Sequence, residues 1–259
     1  MRIKWYGTAS LLIEGEKTRI LIDPYLKRNK KLPSLPVDEA VTAEAVFITH
    51  PHFDHFSDIS VFESGNVKDV YVSPDGIRTA AENNIPTGLM RPIVSGDRVE
   101  VGDISVRVYK GRHCKFDAAT VLGIVFNPLT YCRFASGVRN LKIMKRFKMS
   151  GRDDIYAFEV QSGGKKLLVL GSAGMADDAE YPKDADMLVF PYQGRTRMDR
   201  YMKGFLRTLT PKAVIIDHFD NAFPPFTRSV NTGRFAEAAR EVLPEVRTVV
   251  PTENEWYEI

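Results

Sequence analysis

The sequence predicts an α/β protein. Short runs rich in β-branched and aromatic residues alternate with helix-like stretches, and both halves of the chain share one rhythm of strands followed by a helix. At 259 residues and 44% apolar composition the chain is within the range of one large domain or two small ones and can build a sizeable core. Its motifs lead to its being read as one domain over residues 1–259.

Three strands are expected first, Arg2 to Tyr6, Ser10 to Glu14 and Arg19 to Ile22, separated by Gly7-Thr8 and the Gly15-Glu-Lys-Thr18 turn in the manner of a meander. Asp23-Pro24 ends the third. There an Asp either caps a turn or hydrogen-bonds a ligand histidine from behind. Lys27 to Pro36 is polar and proline-bearing, as a surface loop would be, and Asp38 to Val41 is expected to make a helical turn.

Ala45-Val-Phe-Ile-Thr-His-Pro-His-Phe-Asp-His55 carries the chemistry. The apolar start has the length of a buried strand, and Pro51 keeps the backbone from running on into helix, so His50, His52, Asp54 and His55 stand on a turn. Imidazoles and a carboxylate so closely spaced suit zinc or iron. Further strands are expected at Val70 to Ser73, Arg98 to Val101 and Ile104 to Tyr109, with a helix at Pro74 to Asn84. His113 follows the last of these strands, and His218 follows another at Ala213 to Ile216. Every histidine of the chain thus stands just beyond an expected strand, where loop residues reach a site at a sheet edge.

Residues 118–152 contain Arg133, Arg139, Lys142, Lys145, Arg146, Lys148 and Arg152 and no Asp or Glu. With +7 in that segment and +3 overall, the rest of the chain carries −4. Phe126, Leu129, Tyr131, Phe134, Ile143, Met144 and Phe147 interleave with the cations. The segment is read as a basic apolar lid that would attract an anionic small molecule, with Val138 to Met149 also acceptable as an amphipathic helix on a membrane surface or a second subunit. Beyond it, strands are expected at Ile155 to Val160, Lys166 to Leu170, Met187 to Phe190 and Thr248 to Val250, with a helix at Ser229 to Val242 capped by Asn231 or Thr232. Arg195, in the loop after Phe190, is a candidate for holding a phosphate or carboxylate. Two cysteines, Cys114 and Cys132, and the lack of a signal-peptide-like start or an apolar run of membrane length lead to the expectation of a cytoplasmic protein without a membrane span.

His50-Pro-His52-Phe-Asp54-His55, with His113, His218 and Asp23-Pro24, resembles the metallo-β-lactamase-fold hydrolases over nearly the whole length. The resemblance implies a four-layer αββα sandwich of two mixed sheets. It also implies a first metal on His50, His52 and His113 and a second on Asp54, His55 and His218. Gly7-Thr8-Ala-Ser10 and Ile22-Asp-Pro24 look most like the branch containing ascorbate-6-phosphate lactonase and the N-acyl phosphatidylethanolamine phospholipase D type enzymes. One position departs from the family pattern: Ser172 stands where an Asp usually bridges the two metals. A neutral hydroxyl is a poor bridge between dications, so one firm zinc site and a weak or empty second are expected, with Asp177, Asp178 or Cys114 as stand-ins and iron or manganese as other metals. His52 argues for hydrolysis over the two-iron redox variant, which carries Glu there.

The expected activity is hydrolysis of an ester, lactone or phosphodiester by a metal-bound hydroxide, with Asp54 orienting the water and passing a proton to the leaving group. A regulatory metal-binding protein and a mononuclear iron dioxygenase of the same fold are the alternatives. No nucleic acid is expected as partner, because the chain has no room for an inserted RNA-binding domain; a homo-oligomer fits the apolar residues of the basic segment.

Overall fold

The computed structural model describes residues 1–126, 138–147, 155–224 and 227–259. Fourteen strands among them form two sheets of seven, ordered β14-β1-β2-β3-β4-β5-β6 and β13-β12-β11-β10-β9-β8-β7. The first contains β1 (Arg2–Trp5), β2 (Leu11–Glu14), β3 (Arg19–Ile22), β4 (Ala45–Phe47), β5 (Asp69–Val72), β6 (Met90–Pro92) and β14 (Trp256–Glu258). The second contains β7 (Arg98–Val101), β8 (Ile104–Lys110), β9 (Tyr156–Ser162), β10 (Lys165–Leu170), β11 (Met187–Pro191), β12 (Ala213–Asp217) and β13 (Arg247–Val249).

The two sheets repeat one pattern. From β14 to β3, and from β7 to β10, every junction is antiparallel; from β3 to β6, and from β10 to β13, every junction is parallel. Tight turns suffice for β1 to β3, whereas parallel neighbours require crossovers, and six of the eight described helices lie on those crossovers, the other two falling between the antiparallel β8 and β9.

Side-chain alternation builds the layers. Ile3, Trp5, Leu11, Ile13, Ile20, Ile22 and Phe47 of the first sheet face Val106, Val108, Phe158, Val160, Val169, Val189 and Ile215 of the second in the central core. The alternate residues Leu12, Leu21, Val46, Ile48, Val70 and Val72 point outward, under α1 (Val37–Ala40), α2 (Phe53–Phe56), α3 (Ile59–Phe62) and α4 (Pro74–Glu82). On the other side Leu168, Leu188, Phe190, Val214 and Ile216 lie under α7 (Met198–Leu209) and α8 (Phe235–Arg240). All positions of β11 and β12 are buried, as parallel strands covered on both faces should be. These are two mixed sheets with flanking helices, the α/β sandwich the resemblance implied.

Two further helices lie in the basic segment, α5 (Ala118–Val125) and α6 (Val138–Arg146). Residues 127–137 and 148–154, and with them Cys132, Arg133, Lys148 and Arg152, lie outside the described residues, so part of the expected lid does too. The described part of α6 docks through Ile143 on the outer core and Met144 beside Tyr25, and Phe147 meets Phe56 edge to face at 6.3 Å. Arg146 and Asn83 exchange side-chain and backbone hydrogen bonds of 3.1–3.2 Å, fastening this end to the C-terminus of α4.

Several expectations need correction. The helix expected from Ser229 begins only at Phe235: Asn231 Oδ1 accepts from Gly233 N at 2.8 Å, closing a turn instead of capping a helix. β14, which returns to pair with β1, lies beyond the last expected strand. α7, the longest described helix, and β6 were not anticipated.

Candidate metal centre

Loops at one edge of both sheets bring the histidines together. The strands bearing these loops run the same way within each sheet: β4 is parallel to β3, and β8, β10 and β12 share one direction because two antiparallel junctions separate β8 from β10. The loops after β4, β8 and β12 carry His50, His52, His113 and His218; Asp54 and His55, expected on a turn, stand in the short helix α2 that His52 caps directly after Pro51. Ligating atoms of His50, His52 and His113 lie within 4.8 Å of one another, and so do those of Asp54, His55 and His218. The rings of His50 and His55 are 3.9 Å apart, so the two triads adjoin.

Asp23 organises the motif from beneath. It is buried, and its carboxylate accepts from Thr49 N at 2.7 Å, from Thr49 Oγ1 at 2.5 Å and from His55 Nδ1 at 2.7 Å. Thr49 Oγ1 in turn lies 3.0 Å from His50 Nδ1. With Nδ1 committed to Asp23, His55 keeps Nε2 free for a ligand. His113 does the same through a 3.0 Å hydrogen bond from Nδ1 to the Cys114 carbonyl. Of the two sequence readings of Asp23, the histidine partner is the one the geometry displays.

The donor set fits a metal. His55 Nε2 and His218 Nε2 face each other at 3.3 Å, close to the roughly 3.3 Å edge of a tetrahedron with metal–nitrogen distances of about 2.0–2.1 Å. Burial lowers His50 well below the ordinary imidazole range, with His55, His52, His113 and His218 adding to it. His52 and His55 are lowered to about 3, both by burial first; His55 and His113 add to it at His52, whereas at His55 the Asp54 carboxylate opposes it before His218 and His113 add to it. Neutral imidazoles are the form that binds metal. His218 differs: burial pushes it down, but Asp217, with Asp54 and Asp220, raises it to about 9. Its Nδ1 stands 3.5 Å from Asp217 Oδ1.

Backbone strain collects around the same loops. Thr8, Asp23 and His218 have φ of +49°, +45° and +57°, left-handed values that cost a residue other than Gly about 1–3 kcal/mol when the surroundings must enforce them. The enforcement is visible: His218 N donates to Thr8 O at 3.0 Å, and Thr8 N donates to both carboxylate oxygens of Asp220 at 3.1 Å.

Ser172 follows β10, and its Oγ accepts from Cys114 N at 3.0 Å. Asp177 and Asp178 pair with Arg112 at 2.6 Å and Lys110 at 2.9 Å, with side chains largely exposed. Burial raises the Cys114 thiol to about 11, Arg195 opposing and Asp117 adding. Neither acid nor thiol joins a triad. Arg195 donates to the Lys115 carbonyl at 3.0 Å and lies over the Tyr201 ring at 4.4 Å. Sequence reasoning missed Thr49, Asp217 and Asp220. Their only signal is position, each beside a candidate ligand or in the loop that bears one.

The model of the Beta-lactamase superfamily domain matches residues 2–218. The chain belongs to this family. It is similar to a UPF0173 protein of Pyrococcus abyssi, 31% identical over 115 residues, which cover 44% of this chain and 50% of that one. It is also similar to a UPF0173 metal-dependent hydrolase of Pyrobaculum arsenaticum, 30% identical over 138 residues covering 49% and 60%. The chain thus spans about half the length of these curated relatives. Among solved structures, a metallo hydrolase from Ignicoccus hospitalis superposes with a TM-score of 0.65 at 14% identity, covering 100% of this chain and 98% of that one, a likeness of fold.

Proposed function

We propose that the protein is a metal-dependent hydrolase that holds one zinc on His50, His52 and His113 and cleaves a small anionic ester, lactone or phosphodiester. The observation that carries this reading is the pair of adjoining triads, with His50, His52 and His55 kept neutral chiefly by burial and the Nδ1 atoms of His50, His55 and His113 met by Thr49, Asp23 and the Cys114 carbonyl. Zinc there would polarise the substrate and make water nucleophilic near neutral pH. Asp54, partly buried on α2, would accept a proton from that water and return it to the leaving group. His218, raised to about 9 in company with Asp217, contributes positive charge beside Asp54.

Engagement of Ser172 with Cys114 and of Asp177 and Asp178 with surface cations supports a single firm site, since no carboxylate among these replaces the bridge. Exposed Lys142 and Lys145 on α6, which packs against the motif helix α2, support an anionic substrate. Gly7-Thr8-Ala-Ser10 and the Asp23-Pro24 turn support kinship with the lactonase and phospholipase D type branch, and sparse cysteine supports the cytoplasm. No described helix is long and apolar enough to cross a membrane. Phe116, Leu122 and Phe126, all more than half exposed, support an apolar contact beside α5 with a membrane surface or a second copy, which vesicle binding and light scattering distinguish.

The test is metal content by inductively coupled plasma mass spectrometry for the wild type and Ser172→Asp, followed by turnover on an ester, lactone and phosphodiester panel. One zinc rising to two in the variant is expected. Two metals in the wild type would overturn the single-site reading, and iron in place of zinc would favour a dioxygenase. Asp54→Ala should retain zinc and lose about 100-fold or more in rate. Tight zinc binding without turnover on any of the panel would favour a regulatory protein.

A further inference from the structure

Asp23 and Ser172 stand at corresponding junctions of the two sheets, Asp23 directly after β3 and Ser172 one residue further on, after Gly171, beyond β10. Each follows the last antiparallel strand of its sheet, β3 or β10, where parallel order begins. Each uses a side-chain oxygen to accept the backbone N–H of the residue adjoining a candidate ligand. For Asp23 that residue is Thr49, next to His50; for Ser172 it is Cys114, next to His113.

The contacts around Ser172 explain why a side chain serves there. Residues 111–114 run antiparallel to 172–175: Gly111 bridges Met175, and Arg112 N donates to Gly174 O at 3.2 Å. Two residues on, the Cys114 N–H would meet the carbonyl of residue 172 in a regular ladder. That carbonyl already accepts Gly174 N at 2.8 Å in a tight turn. The Ser172 hydroxyl takes its place at 3.0 Å. The glycines on either side admit no side chain, since a Cβ on Gly174 would stand 2.2 Å from the Arg112 carbonyl and one on Gly171 2.4 Å from Thr49 Cβ and from the Tyr156 carbonyl. The hydroxyl is therefore held at a fixed depth against Cys114, whose own carbonyl takes the Nδ1 proton of His113.

From this geometry we propose that Ser172 is a positioning residue for the zinc site, fixing His113 through the Cys114 backbone so that Nε2 is presented toward His50 and His52. The proposal rests on the metal-centre reading and assigns Ser172 a role independent of bridging two metals. A hydroxyl that clips a ligand loop is the counterpart in the second sheet of the Asp23 carboxylate in the first.

The test is zinc affinity, measured by competition with a chromophoric chelator for wild type, Ser172→Ala, Ser172→Thr and His113→Ala, beside the melting temperature of each metal-free protein and the cobalt(II) absorption spectrum. Ser172→Ala is expected to bind zinc about 10- to 100-fold more weakly with an altered cobalt spectrum, while the metal-free melting temperature falls by only about 2–4 °C for the one lost hydrogen bond. Ser172→Thr, which keeps the hydroxyl, should restore wild-type affinity. Wild-type affinity and spectrum in Ser172→Ala would overturn the proposal, as would a loss that tracks a larger fall in metal-free melting or one that Thr fails to restore. A wild type that takes up no zinc, or a His113→Ala protein that binds as tightly as wild type, would overturn the metal-centre reading and the proposal with it.

Discussion

Asp23→Asn separates the orienting role of this carboxylate from its shape. Asn is nearly isosteric and tolerates the left-handed backbone at φ +45°, so the loop has no steric reason to move. The carboxylate, however, accepts three hydrogen bonds, and an amide offers only one oxygen. If that oxygen stays with Thr49 N, the amide NH2 faces two donors, Thr49 Oγ1–H and His55 Nδ1–H, where Asp23 Oδ2 had accepted both. The clash resolves when the His55 proton moves to Nε2, the nitrogen that faces His218, and when the Thr49 hydroxyl turns away from its place beside His50 Nδ1. Hydrogen bonds to charged groups contribute about 1.5–3 kcal/mol each. Burial pushes the Asp23 carboxyl up to about 7 against the pull of Thr49, so relief of that burial cost offsets part of the loss, leaving a destabilisation of about 1–3 kcal/mol. Metal affinity should fall about 10- to 100-fold, as for other partners that orient a ligand, which is about 1.4–2.7 kcal/mol. Chelator competition and urea unfolding read the two quantities separately. Wild-type zinc affinity and wild-type stability in Asp23→Asn would refute the reasoning that Asp23 sets the His55 tautomer and supports His50.

Three other outcomes are expected. Leu206→Ala, deep under the second sheet on α7, should cost about 2–5 kcal/mol in urea unfolding, and a loss under about 1 kcal/mol would mean that the helix is not packed as described. Zinc at about 100 times its dissociation constant should add about 2.7 kcal/mol, so a chelator should lower the melting temperature of the wild type and leave that of a His50→Ala, His52→Ala double variant unmoved. Asp103 accepts from Ser162 Oγ at 2.7 Å and from Glu16 N and Lys17 N at 2.6 and 3.1 Å; burial raises its carboxyl, but these hydrogen bonds and that of Thr18 outweigh it and hold the pKa below the usual range. A depressed folded pKa gives stability that is present above the unfolded value of about 3.9 and lost as pH falls through the folded one. Asp103→Asn should therefore cost on the order of 1 kcal/mol at pH 7, a difference that shrinks below about pH 4 and would be flat with pH if the hydrogen bonds were idle.

Legibility in the sequence followed how local each signal was. β3 and β7 have the expected bounds because an apolar run between turn residues is enough to define them. The histidine motif was legible because four candidate ligands stand within six residues. α7 went unanticipated although Met198, Met202, Phe205, Leu206 and Leu209 make one buried face at helical spacing; Arg200, Lys203, Gly204 and Arg207 break up the apolar run that catches the eye. β14 is a three-residue strand that exists through its neighbour, with Trp256 beneath the Arg2 and Lys4 cations at 4.4 and 4.7 Å. Thr49 and Asp217 were invisible for a related reason: a polar residue at a strand end acquires a role only when another segment supplies its partner.

The placement of the histidines shows how topology converts a weak sequence pattern into a site. Five histidines after strands need not meet, since adjacent antiparallel strands end at opposite edges of a sheet. Here the bearing strands avoid that outcome in two ways: β4 lies in the parallel half of its sheet, and β8 reaches the direction of β10 and β12 by being two antiparallel steps from β10. A single added or lost strand between β8 and β10 would send the His113 loop to the far edge. The sequence rhythm could reveal strands that end in histidine, but the direction of each strand is decided by pairings between segments distant in the chain. Those same pairings put Asp23 and Ser172 at matching junctions, so two residues that share neither charge nor sequence context come to hold the loops of His50 and His113 by the same backbone contact.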